Sequence, residues 1–278
     1  MLVALCSFKG SPGVTTSALA MAACSPSGVH PVVVECDPAG GDIFVRFRLN
    51  SAPGLVSLAA AARRSVGPEV LAQHTQRLPG GLPVVVGPAG AEQARAALSE
   101  ISHHQGATLR AAADQDGMVV LADCGRVDPD SPALPIVQAA DALVLLVRPR
   151  DDELAHVATR LDTAARWTPR PCLVLVGEGY PISEVVRVLG IGTMGQIPHD
   201  PKGAAILSGT SRAGSGLTRT ALGRAAARIA FSLTSRHPRA RLSPAPPLEA
   251  TRDEPVPRSW PGSPVGSVNG TSANGTRS

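Results

Sequence analysis

Residues 2–23, LVALCSFKGSPGVTTSALAMAA, constrain this chain more than any other stretch. A short apolar run (residues 3–7) meets a turn containing Gly10, Pro12 and Gly13, and a helical pattern follows over residues 15–24. A strand that enters a helix through a glycine turn is the opening of a βαβ unit. The same alternation continues downstream. Apolar runs recur at residues 31–35, 82–86, 118–122, 142–147, 172–176 and 194–197, and helical patterns at 55–64, 68–77, 91–113, 151–167 and 183–189. The runs are almost continuously apolar rather than alternating, which is what strands buried on both faces require. The expected fold is therefore α/β: a three-layer, doubly wound, mostly parallel sheet with helices on both faces.

A last helix is expected over residues 217–235, where Leu222, Ala226, Ile229 and Leu233 fall on one face. From Arg236 the chain turns rich in Pro, Ser and Gly and has too little apolar material to offset its ordering entropy. The expected organisation is one globular domain over residues 1–235 and a disordered tail over 236–278. The net charge of +4 is concentrated in that tail, where six Arg face three acids, so the globular part is nearly neutral. A strong electrostatic footprint for nucleic acid is thus absent from the fold, although Arg219, Arg224, Arg228, Arg236, Arg239 and Arg241 leave room for a local, non-specific DNA patch. No apolar run approaches the ~18 residues of a membrane span, and the first strand begins at once without a charged leader, so a cytoplasmic location without stable membrane binding is expected. The five cysteines show neither CxxC pairs nor metal-ligand spacing and read as buried, reduced thiols.

Doubly wound sheets bind ligands at the carboxyl ends of their strands, so the residues that follow each apolar run are the candidates. After the first run comes FKGSPGVTT. It departs from the ordinary phosphate-loop pattern G-x-x-x-x-G-K-[ST] at Phe8 and at Val14, which stands where the phosphate-bridging lysine belongs. Gly13, Thr15 and Thr16 remain, at the start of a helix whose amides favour an anion, and the Thr15 hydroxyl is placed to ligate Mg2+. Valine offers no donor and no charge, and Pro12 lacks an N–H for the phosphate cradle. The lost lysine contact is worth ~2–4 kcal/mol of transition-state stabilisation on the scale of one oxyanion donor.

With these residues in view, the sequence resembles the MinD/ParA ATPases, whose deviant Walker loop reads K-G-G-x-G-K-T-T. Here the loop is Lys9-Gly10-Ser11-Pro12-Gly13-Val14-Thr15-Thr16. Lys9 matches the family's signature lysine. Only two of the 26 basic residues are lysines, Lys9 and Lys202, so a lysine retained at this position is informative. PVVVECDPAGGD resembles the family's second motif, MVVLADCG its Walker B strand, ADALVLLVRPRDDEL the strand and helix that follow, and MGQIPHD its late segment bordering the base. The resemblance implies ATP and Mg2+ as cofactors. It implies Asp37 as the residue that positions attacking water, with Glu35 in place of the first acid, and Asp123 as a magnesium ligand through water. It implies Lys9, Gly10, Ser11, Gly13, Val14, Thr15, Thr16 and Pro198 around the nucleotide. Lys9 would act across a nucleotide-sandwiched homodimer on its partner's phosphates. The function implied is a dimerising switch that positions or regulates a protein partner or cargo, as in chromosome partitioning, with weak or slow hydrolysis. Two alternatives stay open: a scaffold that binds nucleotide poorly, and an ATP-dependent ligase of the same superfamily.

Overall fold

A computed structural model describes residues 1–168, 171–209 and 216–235, and the expected tail at 236–278 lies outside the described residues. Eight strands form one sheet: β1 (Leu2–Ser7), β2 (His30–Glu35), β3 (Gln76–Arg77), β4 (Pro83–Val85), β5 (Met118–Arg126), β6 (Ala142–Val147), β7 (Pro171–Val176) and β8 (Thr193–Ile197). Their order is β3-β4-β2-β5-β1-β6-β7-β8, and every pairing is parallel except β3 with β4. The most apolar runs occupy the middle. All residues of β1 and β6 are buried, as burial on both faces demands.

Side chains leave β1 alternately to two apolar cores. Leu2, Ala4 and Cys6 join one core, and Val3 and Leu5 join the other. The first core is closed by α3 (Leu55–Ala62), α4 (Pro68–Gln73), α5 (Ala91–His103), α6 (Ala107–Ala113), α7 (Leu134–Ala139), α8 (Asp151–Trp167) and α9 (Ile182–Leu189). The second is closed by α1 (Val14–Ala23), α2 (Ile43–Phe47), α10 (Pro201–Leu207) and α11 (Ala221–Ser235). On α11 the foreseen face of Leu222, Ala226, Ile229 and Leu233 is buried, against α1 and β8. The three-layer architecture is the one the apolar periodicity predicts.

Three local expectations need correction. The helix expected over residues 68–77 ends at Gln73, and Gln76 and Arg77 instead pair with Val84 and Pro83 as an antiparallel edge strand. Two residues, one of them exposed, carry no alternation to read. The helix expected over residues 91–113 is two helices, broken where Gln105 and Gly106 both adopt positive φ (50° and 67°). The short helices α2, α7 and α10 were not foreseen, because five to seven residues are too few to display a 3.6-residue period. No helix among the described residues is long and apolar enough to cross a membrane.

Candidate functional site

The sheet order reverses around β1, whose sequence neighbour β2 lies to one side while β6 to β8 lie to the other. The loop that leaves β1 therefore opens into the crevice where such sheets take ligands. Gly13 is the N-cap of α1 at φ 92°, a left-handed conformation that a side chain would strain, and its carbonyl accepts the Ser17 amide at 2.9 Å. The amides of Val14, Thr15 and Thr16 precede that first helical bond and have no intrahelical acceptor. With no side chain capping the helix, these donors and the positive end of its dipole are available to an anion.

A cavity of about 480 Å³ lies over this helix terminus. It is lined by Ser11, Pro12, Gly13 and Thr16 from the loop and the start of α1, and by Val176, Gly177, Pro198 and His199 at the carboxyl ends of β7 and β8. Pro198 thus lines the same cavity as the loop. Lys9, Gly10, Val14 and Thr15 do not line it. Lys9 is exposed, and Val14 is only 7% exposed, its side chain taken into the apolar core beneath α1. Asp200 is occupied structurally: its carboxylate accepts the amides of Gly203 at 3.0 Å and Leu222 at 2.9 Å, which hold α10 and α11 together.

Three carboxylates converge behind the loop from neighbouring strands. Asp123 on β5 lies level with Leu5 on one side and Glu35 on the other. It is 1% exposed; Oδ1 accepts the Gly125 amide at 3.2 Å, whereas Oδ2 is buried without a hydrogen-bond partner. Burial pushes its pKa up to about 7, opposed by the adjacent Thr15 hydroxyl and reinforced by the charges of Glu35 and Asp37. An orphaned anionic oxygen beside a threonine hydroxyl at a helix N-terminus is a donor set that fits a hard, oxygen-seeking cation bridging to phosphate. Among the described residues no cluster of three His, Cys, Asp or Glu could hold a metal alone, so such a cation would need oxygens from the ligand.

Asp37 begins the segment after β2 and is partly exposed, as a group reaching toward solvent-borne chemistry must be. Its Oδ1 accepts the Ala39 amide at 2.8 Å, and burial again raises its pKa. The carboxylate rests on the backbone of Gly125: a Cβ there would lie 2.0 Å from Asp37 Oδ2, and Gly125 has φ 56°. Glu35 does something different from a reacting acid. Its Oε1 accepts the amides of Asp42 (2.8 Å) and Ile43 (2.9 Å), and its Oε2 accepts the amide of Gly87 (2.8 Å). It is 2% exposed and ties the chain after β2 to the chain after β4. Burial raises its pKa and these three bonds pull it back.

Sequence reasoning singled out no residue of RPRDDEL, yet this segment braces the loop. Arg148, just beyond β6, donates to the Ser11 carbonyl at 3.0 Å and to Glu153 Oε1 at 3.2 Å. Glu153, buried in the first turn of α8, also accepts the Arg148 amide at 2.8 Å. Arg160 on α8 donates to the Phe8 carbonyl at 3.4 Å and lies 5.8 Å from the centre of the Phe8 ring. Arg148 directly follows β6, so the rule that ligands gather at strand ends is the signal that could have found it; nothing local in the sequence points to its bond with Ser11. Cys6, Cys24, Cys36 and Cys124 are buried, Cys172 is partly so, and none of the five forms a disulfide, in line with the reading of reduced thiols.

No protein-family model matches the chain, and no curated protein matches it by sequence. Solved structures do. A ParA family ATPase from Chlorobium tepidum superposes with a TM-score of 0.65 at 16% identity, covering 83% of this chain and 98% of that one. The septum site-determining protein MinD from Pyrococcus horikoshii, complexed with Mg-ADP, gives 0.64 at 15% identity over 84% and 95% of the two chains. A putative plasmid partition protein from Borrelia burgdorferi, bound to AMPPNP, gives 0.60 at 11% identity over 85% and 99%. The chain has a MinD/ParA-like P-loop fold.

Proposed function

We propose that this chain binds Mg·ATP in the cavity between its first loop and the Pro198 segment, and works as a nucleotide-dependent positioning or regulatory switch with slow turnover. One observation carries the reading: the uncapped N-terminus of α1 opens at the cavity, which Gly13 and Thr16 line, with the unpartnered Oδ2 of Asp123 and the Thr15 hydroxyl close by. In this reading the Val14, Thr15 and Thr16 amides cradle the phosphates, Thr15 ligates Mg2+, and Asp123 holds the ion through water. Bound Mg2+ supplies charge that neutralises phosphate oxygens. Asp37, seated on Gly125, orients a water molecule, and Pro198 borders the base.

Weak hydrolysis follows from what the loop lacks. Val14 is in the core and cannot reach a phosphate, and Pro12 donates nothing. Lys9 is exposed and makes no ion pair among the described residues, so it is free to cross to the phosphates of a second protomer in a nucleotide-bridged dimer. The structural relatives named above include proteins called ParA, MinD and plasmid partition protein, which supports a cargo-positioning role for a fold of this type. Arg219, Arg224 and Arg228 are exposed on and before α11 and would carry any non-specific DNA contact, while Arg236, Arg239 and Arg241 lie outside the described residues.

Isothermal titration of the full chain with Mg·ATP, Mg·ADP and Mg·GTP tests the reading, with light scattering to follow dimerisation. Micromolar binding of an adenine nucleotide supports it. No binding of any of the three overturns it in favour of a scaffold of the same fold, the alternative that the burial of Val14 favours.

A further inference from the structure

Losing the loop lysine leaves the phosphate cradle short of a cation in its own chain, and the structure has another one in reach. Arg148 and Arg150 are the only Lys or Arg side chains lining the cavity among the described residues, and both come from the segment after β6. Arg150 makes no hydrogen bond to the loop among the described residues. Arg148 does: its Nη2 donates to the Ser11 carbonyl, which puts the guanidinium directly against the loop that would hold the phosphates. The Arg148 side chain is 42% exposed, whereas that of Glu153 beneath it is 5% exposed, so the pair presents its cationic end to the cavity.

Glu153 fixes the guanidinium without consuming it. A guanidinium carries five N–H groups in a rigid fork. Arg148 uses one on Glu153 and one on Ser11, and the remaining three make no hydrogen bond among the described residues. The anchoring is tight, because Glu153 Oε2 also accepts the Arg148 amide at 2.8 Å, and a Cβ on Gly10 would stand 2.9 Å from Glu153 Oε1. The arginine is thus pre-oriented beside Ser11 with donors to spare, the arrangement suited to a planar, bidentate approach to phosphate oxygens.

We infer that Arg148 is the phosphate-binding cation of this site, acting within one chain where Val14 cannot. This rests on the nucleotide reading above and adds to it a residue outside the loop. It also separates two charges by task. Arg148 binds the polyphosphate of its own protomer, and Lys9 reports on a second one.

The test compares the full chain with Arg148→Met, Arg148→Lys and the double variant Arg148→Met/Glu153→Gln, which removes the buried charge that the single change strands. Titration calorimetry reads Mg·ADP, and ligand-observed NMR reads adenosine, which has the base and sugar but no phosphate. Arg148→Met and the double variant are expected to weaken Mg·ADP by about 10- to 100-fold, the worth of a charge-assisted hydrogen-bond pair. Adenosine affinity should stay within about 2-fold, and Arg148→Lys should recover part of the loss. If both methionine variants keep parental Mg·ADP affinity, or lose Mg·ADP and adenosine alike, the arginine is not a phosphate ligand while the nucleotide reading stands. If the parent binds neither ligand, the nucleotide reading falls and takes this inference with it.

Discussion

Replacing Asp123 by Asn removes a charge from the most poorly solvated polar position in the site while keeping its shape. In the protein Asp123 is 1% exposed, receives a single amide bond on Oδ1 and none on Oδ2, and faces Glu35 and Asp37. Its pKa is accordingly raised, chiefly by burial, from 3.8 to about 7. The folded state then holds this proton more tightly than the unfolded chain does, so its stability falls as pH rises from about 4 to about 7 and is lowest above pH 7. At ~1.4 kcal/mol per pH unit the full span corresponds to about 4 kcal/mol. Without Mg2+ or nucleotide, Asp123→Asn is therefore expected to melt about 10 °C above the parent at pH 8, and close to it at pH 4.5. Thermal melts in EDTA across that range measure the difference directly. Adding Mg·ATP should reverse the order, because the cation stabilises the carboxylate and cannot use the amide in the same way. A parent-minus-variant difference that stays flat between pH 4.5 and 8 would refute the reasoning, since it would mean the carboxylate is adequately solvated in the folded chain.

Three further outcomes follow from the same geometry. Glu35→Ala strands the amides of Asp42, Ile43 and Gly87, two of whose bonds are fully buried, and should cost about 3–5 kcal/mol in urea denaturation; a loss under 1 kcal/mol would show that water replaces the carboxylate. Val14→Lys lets a long side chain leave the core toward the loop and should raise ATP turnover about 10-fold or more at a cost of about 1–3 kcal/mol in stability, measured by phosphate release alongside a melt; unchanged turnover in a folded variant would mean the missing lysine does not limit hydrolysis. Lys9 is exposed, so Lys9→Ala should leave the melting temperature within about 2 °C of the parent yet lower ATP-dependent dimerisation in light scattering; dimerisation untouched at micromolar nucleotide affinity would remove the trans-lysine role.

Much of the fold is legible in the sequence because the signals are local. Seven apolar runs mark seven strands within a residue or a few of their observed ends, and the glycine turn at Gly10–Gly13 announces the helix that follows. Burial on both faces of a parallel sheet dictates such runs, and a helix terminus needs only its own residues to present its amides. Asp123 and Asp37 directly or closely follow the apolar runs 118–122 and 31–35, which is why the sequence could single them out, while the roles expected of them came from the family resemblance. What failed locally was short or conformational. A two-residue edge strand and a left-handed break at Gln105–Gly106 have no period of their own.

The sequence by itself determined the layers, the order of strand and helix, and the absence of the loop lysine at Val14. Only the tertiary structure decided what surrounds those positions. It turned Glu35 from an expected acid into an anchor for two loops, set Asp37 on Gly125, and left Asp123 Oδ2 without a partner. It also brought Arg148 onto Ser11 across 137 positions of chain. The physical reason is separation along the sequence. Periodicity reports which face of an element is buried, but a hydrogen bond between residues so far apart exists only once the sheet has placed β6 beside β1.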